Sequence, residues 1–559
     1  MTLDPRLVAL DDEFFEVQNQ ADPFAATLLG ISGVDRLVPD YSPDGVRRVV
    51  ERLHDIERRV EELLPTLTSD DDVDDARVLA RLAWGQRIEW EDAVWSANAS
   101  AEGYASPPAQ IFMCVPAVTL SHHTLEDYLA RLGSLGGAIE AMVERYAEAS
   151  RSGRVSTEVG LRRSVRQLRG HLSAELDEDL LASPRSDGTL SRAQRGECHR
   201  LVHDVVRPAL TDLVEVLEDS LRGECRDDHH VGITHLPGGE EMYRRAVRRH
   251  TTTDLDPREI HEIGRERVAR LREEFSRLGR SALGEGDVDR LFDRLRHDPA
   301  LRFTSSAEII DVAARALARA ELARPTWFVD RDIAECVVEA INPIEAEHAA
   351  MAHYQPPAGD GTRPGIHYLG VTDPETRFRY EYEALSFHES SPGHHLQIAT
   401  AQTLDLPTYR RYLDTQVCAF VEGWGLYAER LADEMGLYSS DLDRLGMLSF
   451  EALRACRLVV DTGMHSLGWS RAEAVDYMWA NTATTRANVE NEIDRYIGWP
   501  GQALAYLVGR REIERVRREA EDAWGERFDV RHFHEVVIGA GAVPLDVLDR
   551  RVRRWVEGR

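Results

Sequence analysis

The run HESSPGHHLQ begins at His388 and gathers three imidazoles, His388, His394 and His395, with one carboxylate, Glu389. Imidazole and carboxylate are the side chains that bind zinc and move protons near neutral pH. The usual zinc-helix spacing sets two histidines four residues apart on one helix face, with a glutamate beside the first. Here the residue four after His388 is Pro392, and Gly393 follows. Proline and glycine release backbone hydrogen bonds and permit a bulge. A bulge that absorbs two extra residues brings His394 to the place of the missing histidine and keeps Glu389 beside a metal-bound water. His395 is the other candidate ligand. It shares a face with His388 but lies about 10 Å further along an unbroken helix, so either pair requires the bulge. The neighbours Leu385, Phe387, Leu396 and Ile398 are apolar, and ionisable groups among apolar ones are costly unless paired or bound to metal.

A zinc hydrolase site needs a third protein ligand and an open position for water. The downstream segment FVEGWGLYAERL offers Glu422, with Trp424, Leu426 and Tyr427 to pack its helix against the first. Farther on, LRACRLVVDTGMHSLGW carries Arg454, Arg457, Asp461 and His465 at helical spacings. Such a stripe is either mutually paired or faces a wet cavity. An amide hydrolase must also stabilise a developing oxyanion. His465, oriented by Asp461, and Tyr496 in ENEIDRYIGWPGQALAY are the candidates. Arg495 can hold a substrate carboxylate or pair with Glu492. Tyr506, Gln502, Arg457 and Tyr368 complete the candidate substrate-binding set.

HESSPGHHLQ, FVEGWGLYAE, RLVVDTGMHSLGW and RYIGWPGQALAY, in this order, resemble the bacterial family catalogued as domain of unknown function 885. The likeness reaches upstream to LPGGEEMYRRAVRRHTTTDLDPREIHEIG. That family looks like a helical relative of the gluzincin metallopeptidases, which use two histidines and a downstream glutamate on zinc. The resemblance implies one Zn2+ on His388, His394 and Glu422, with His395 behind them or as an alternative ligand, and Glu389 as general base. Many relatives look like exported lipoproteins, whereas this sequence shows neither a lipobox nor a signal.

These residues need elements to hold them, and helical signals dominate. In ERLHDIERRVEELL the apolar Leu53, Ile56, Val60, Leu63 and Leu64 recur at helical spacing. In DPREIHEIGRERVARLREEFSRL, Asp256 is a candidate N-cap, Pro257 fits the first turn, Glu259 completes a capping-box-like start, and Val268, Leu271, Phe275 and Leu278 form one face. The best strand is GIHYLGV, placed to pair with an extended substrate. The expected fold is mostly α: a large helical, metallopeptidase-like fold with a small β element beside the zinc helix. The loop-rich RDDHHVGITHLPGG separates an N-terminal helical region, 1–230, from a catalytic helical region, 231–559, the two expected to form one continuous fold around a cleft. His229 and His230 in it read as a solvated turn.

With 559 residues the chain can build a large core. Its net charge of −30 opposes binding to nucleic acid and anionic membranes. It contains no lysine, which excludes Schiff-base chemistry on pyridoxal phosphate and a phosphate-binding P-loop. The six cysteines form no Cys-x-x-Cys pair. The N-terminus lacks a basic start and an apolar run, so a cytoplasmic location is expected. The expected function is a zinc-dependent hydrolase of amide bonds in small peptides or peptide-like metabolites. The alternatives are a metal-dependent tailoring enzyme or lyase, or a non-catalytic binding protein.

Overall fold

The computed structural model describes residues 3–341, 351–358, 361, 363–412 and 416–558. The fold is mostly α-helical with one small sheet. Gly359, Asp360 and Thr362, in the loop before the predicted strand, lie outside the described residues.

The chain forms two compact units. Unit 1 comprises Met1–Arg245, Met464–Ala472 and Glu492–Pro500; unit 2 comprises Ala246–Gly463, Glu473–Asn491 and Gly501–Arg559. Both units draw on separate stretches of chain. In unit 1, α1 (Pro43–Leu63) buries the periodic Leu53, Ile56, Val60 and Leu63 and is capped by the Ser42 hydroxyl, which accepts from Gly45 N–H. The core of this unit collects Tyr128, Leu132, Leu135, Ile139 and Met142 of α2 (Leu125–Arg151) against Leu210, Leu213 and Leu217 of α3 (Arg207–Arg222).

In unit 2, α4 (Pro257–Leu283) starts where its sequence predicts, with Pro257 in the first turn; the Asp256 carboxylate accepts from Arg258 N–H rather than from Glu259 N–H as in a capping box, and Val268, Leu271 and Phe275 are buried. α5 (Ser306–Trp327) leads to the sheet. β1 (Cys336–Ala340) pairs in parallel with β3 (Gly365–Leu369), and β2 (Ala352–Gln355) pairs with β3 antiparallel. The predicted strand is therefore β3, but it is the central one. Both its edges are taken, so it cannot pair with an extended substrate as the sequence suggested. Next come α6 (Tyr382–Glu389), α7 (His394–Thr403), α8 (Cys418–Glu434), α9 (Asp441–Leu467) and α10 (Ala505–Trp524). α8 and α10 cross closely because Gly423 and Gly509 meet: a Cβ on Gly509 would lie 1.7 Å from Ala419 O. Buried Glu451 then takes Arg267, Arg430 and Arg510 as partners, tying α4, α8 and α10 to α9. Burial alone would push this carboxyl up, but the three guanidiniums hold it well below the usual range. Among the described residues no helix is long and apolar enough to cross a membrane.

Candidate metal centre

The HESSPGHH run folds as two helices with a turn between them, rather than as one bulged helix. α6 ends at Glu389, the Ser391–Pro392 peptide is cis, and α7 begins at His394. Pro392 has no N–H with which to continue the ladder. At Gly393 a side chain has no room, since a Cβ would lie 1.9 Å from His388 O and 2.4 Å from Phe387 O. The indole Nε1 of Trp424 donates to the carbonyls of Pro392 (2.9 Å) and Gly393 (3.2 Å), so α8 fixes the turn.

This break brings His388 and His394 together, their rings 4.6 Å apart and nearly perpendicular. Glu422 of α8 joins them, and one ligand atom from each residue lies within 4.8 Å of the others. Glu422 Oε2 is 3.6 Å from His388 Nε2 and 3.7 Å from His394 Nε2. Ligands bound tetrahedrally at zinc distances stand about 3.4 Å apart; both Glu422 distances come close to that, and two imidazole nitrogens with one carboxylate are a donor set that suits the ion. Side-chain exposure rises from 4% at His388 through 11% at His394 to 22% at Glu422, so the centre opens on the Glu422 side. Gly425 makes space for the His388 ring: a Cβ there would lie 2.7 Å from its Cε1.

The residue that sequence reasoning missed is Glu429. It sits two turns after Glu422 on the same helix, 1% exposed, and accepts from His388 Nδ1 at 2.8 Å. The signal was legible: seven residues on a helix return to one face. A carboxylate on the far nitrogen sets the tautomer and strengthens a metal-binding imidazole. Burial disfavours a charged His388, but the carboxylates of Glu422 and Glu429, one facing each ring nitrogen, outweigh it and raise the ring to about 9. Glu422 is held well below the usual carboxylate range, burial being overcome by His388 and His394.

The other predicted residues are placed as follows. His395 is buried outside the cluster, its Nδ1 2.9 Å from the Tyr354 hydroxyl, and burial lowers its pKa to about 4. Tyr368 stacks on His353, ring centres 5.1 Å apart. The Gln502 amide donates to Cys418 Sγ, and the Arg457 guanidinium lies 4.4 Å from the centre of the Tyr506 ring. Asp461 accepts from Gly501 N–H at 3.2 Å and does not orient His465. His465 and Tyr496 belong to unit 1. His465 accepts from Ile233 N–H at Nδ1 and donates from Nε2 to Tyr496 O, which leaves neither ring nitrogen for an oxyanion. The Tyr496 hydroxyl donates to Glu492, and Arg495 also pairs with Glu492, at 3.3 Å. His229 and His230 are exposed, with His230 bound to Asp227.

Two solved structures share this fold over nearly the whole chain. One, called a "putative lipoprotein", is from Colwellia psychrerythraea: TM-score 0.89, 26% identity, covering 99% of each chain. The other, called a "putative lipoprotein of unknown function", is from Shewanella oneidensis: TM-score 0.76, 18% identity, covering 97% of this chain and 99% of that one. No curated protein matches. Residues 23–552 match the family described as "Bacterial protein of unknown function (DUF885)", and the chain belongs to that family.

Proposed function

We propose that the chain is a zinc-dependent hydrolase of amide bonds in small peptides or peptide-like metabolites. The observation that supports this reading best is the His388, His394 and Glu422 cluster, spaced for one ion and opening beside Glu422. Bound zinc supplies Lewis acidity, polarising a carbonyl and lowering the pKa of water. His388, His394 and Glu422 hold the ion, and Glu429 fixes the His388 ring with Nε2 turned to it. Glu389, next to His388 at the end of α6 and partly exposed, takes the proton of the attacking water and returns it to the leaving amine. A scaffold or binding protein has no use for a base in that position.

The test is metal analysis of the purified protein, followed by a dipeptide library with and without chelator. About one zinc per chain is expected, with cleavage that chelation abolishes. Metal-free protein from a zinc-replete preparation would sink the proposal. Zinc-loaded protein that leaves every dipeptide intact would turn attention to non-peptide amides and to the lyase reading.

A further inference from the structure

Most buried histidines of unit 2 have partners, and His394, whose Nδ1 is unmet, turns Nε2 toward Glu422 at 3.7 Å. His261 has Thr462, His388 has Glu429, His395 has Tyr354, and His534 has both Tyr427 and the Trp327 carbonyl. His367, at the middle of β3, is fully buried, and neither ring nitrogen meets a hydrogen-bond partner among the described residues. An unpaired buried polar group is costly, and in a native fold it calls for an explanation.

The sheet shows where this ring lies. Alternation puts Gly365, His367 and Leu369 on one face of β3. A Cβ on Gly365 would be 2.6 Å from His395 Nδ1, so that face is turned toward the start of α7, where His394 also sits. Tyr354, directly opposite His367 on β2, reaches His395 with its hydroxyl. The charge of Glu389 and the ring of His388 both act electrostatically on His367. The strand is paired on both sides, so the backbone that carries the ring is held in place before any ligand arrives.

We propose that His367 is a substrate-binding residue of the metal centre, its imidazole N–H donating to the oxygen of the amide that Glu389 serves. The proposal rests on the zinc-hydrolase reading and supplies it with the donor that His465 and Tyr496 do not. The ring is fully buried in the ligand-free fold, so substrate must part the side chains over it before filling that unmet hydrogen-bonding capacity.

The test compares the full-length, zinc-loaded wild type with His367→Phe and His367→Gln, using acetohydroxamate as probe. Zinc content, thermal unfolding and the calorimetric Kd are read together. His367→Phe should keep its zinc and unfold no earlier than wild type, because an unpaired polar ring has been replaced by an apolar one. It should bind the probe about ten- to a hundredfold more weakly. His367→Gln, which keeps an N–H, should recover most of that loss. Unchanged affinity in zinc-loaded His367→Phe overturns this inference and leaves the metal centre standing. Loss of zinc in that variant makes His367 a ligand and also overturns it. Absence of zinc from the wild type overturns both readings. Should the phenylalanine variant misfold, the crystal structure of the wild-type complex decides: an imidazole nitrogen about 3 Å from a probe oxygen supports the assignment, and a ring outside hydrogen-bond reach ends it.

Discussion

Glu389 separates chemistry from scaffold most sharply. Glu389→Gln keeps the size of the side chain but cannot take a proton from water. The variant should fold and hold zinc, while turnover falls roughly two to four orders of magnitude. Near-wild-type turnover in a zinc-loaded variant would remove Glu389 from the mechanism. Glu429 has a different role. Glu429→Gln can still accept from His388 Nδ1 but loses the charge that makes the ring a strong ligand. Zinc affinity should fall about ten- to a hundredfold, as for other partners of metal-bound histidines. An unchanged zinc Kd in competition with a chelator would show that the carboxylate only packs. At this scale the sequence was most informative where residue type restricts chemistry: it singled out His388, His394 and Glu422, which the fold brings together. It was least informative where a side chain's partner comes from remote chain. Nothing in DTGMHSLGW says that His465 will be bound by the backbone of Ile233 and Tyr496.

His388, His394 and Glu422 meet because elements approach unusually closely, and glycine permits it. Gly425 lies one turn beyond Glu422 on α8, against the His388 ring. In Gly425→Ala the new methyl meets that ring at 2.7 Å, so the ring must tilt away from Glu422 or α8 must retreat. Helix propensity favours alanine by about 1 kcal/mol. Zinc content should therefore drop sharply even if the helix itself is strengthened. Metal analysis beside thermal unfolding checks this, and full zinc occupancy would mean that α8 shifts freely. Periodicity made the long helices legible, and Asp256 with Pro257 marked one helix start correctly. The two-helix form of HESSPGHH was hidden because a bulge and a break use the same residues, proline and glycine. The Trp424 indole that fixes the break comes from another helix. The place of β3 at the centre of its sheet was hidden for a related reason: its neighbours are short and carry little alternation of their own.

At the scale of the whole molecule, stability depends on groups that must stay neutral and on chain segments that return. Burial lowers His465 in unit 1 and His534 in unit 2 to about 3. Unfolded histidine titrates near 6.5, so below that pH the unfolded chain binds protons that the folded chain does not. The contribution of these two rings is complete above about pH 6.5 and is lost as pH drops toward 3, by roughly 2 kcal/mol per ring at pH 5. Chemical unfolding of His534→Gln at pH 7 and pH 5 should show a smaller acid loss than wild type by about that amount, and equal losses would contradict the assignment. The last prediction concerns unit 1, whose first stretch, Met1–Arg245, is completed by Met464–Ala472 and Glu492–Pro500. Asn98 takes the Arg226 guanidinium at its carbonyl and gives its amide to Ile497 O. Arg163 and Arg471 share Asp494. Gly232 lies so close to Met464 that a Cβ would stand 1.9 Å from its carbonyl, and His465 satisfies the buried Ile233 N–H. A fragment ending at Arg245 loses Ile497, Asp494, Met464 and His465 together. It is left with unpaired buried polar groups and uncovered apolar surface. Each unpaired group costs about 1–3 kcal/mol against a typical total of about 5–15 kcal/mol. The fragment should therefore show helical circular dichroism without a cooperative thermal transition. A sharp transition near that of the full chain would show that Met1–Arg245 folds without the returning segments.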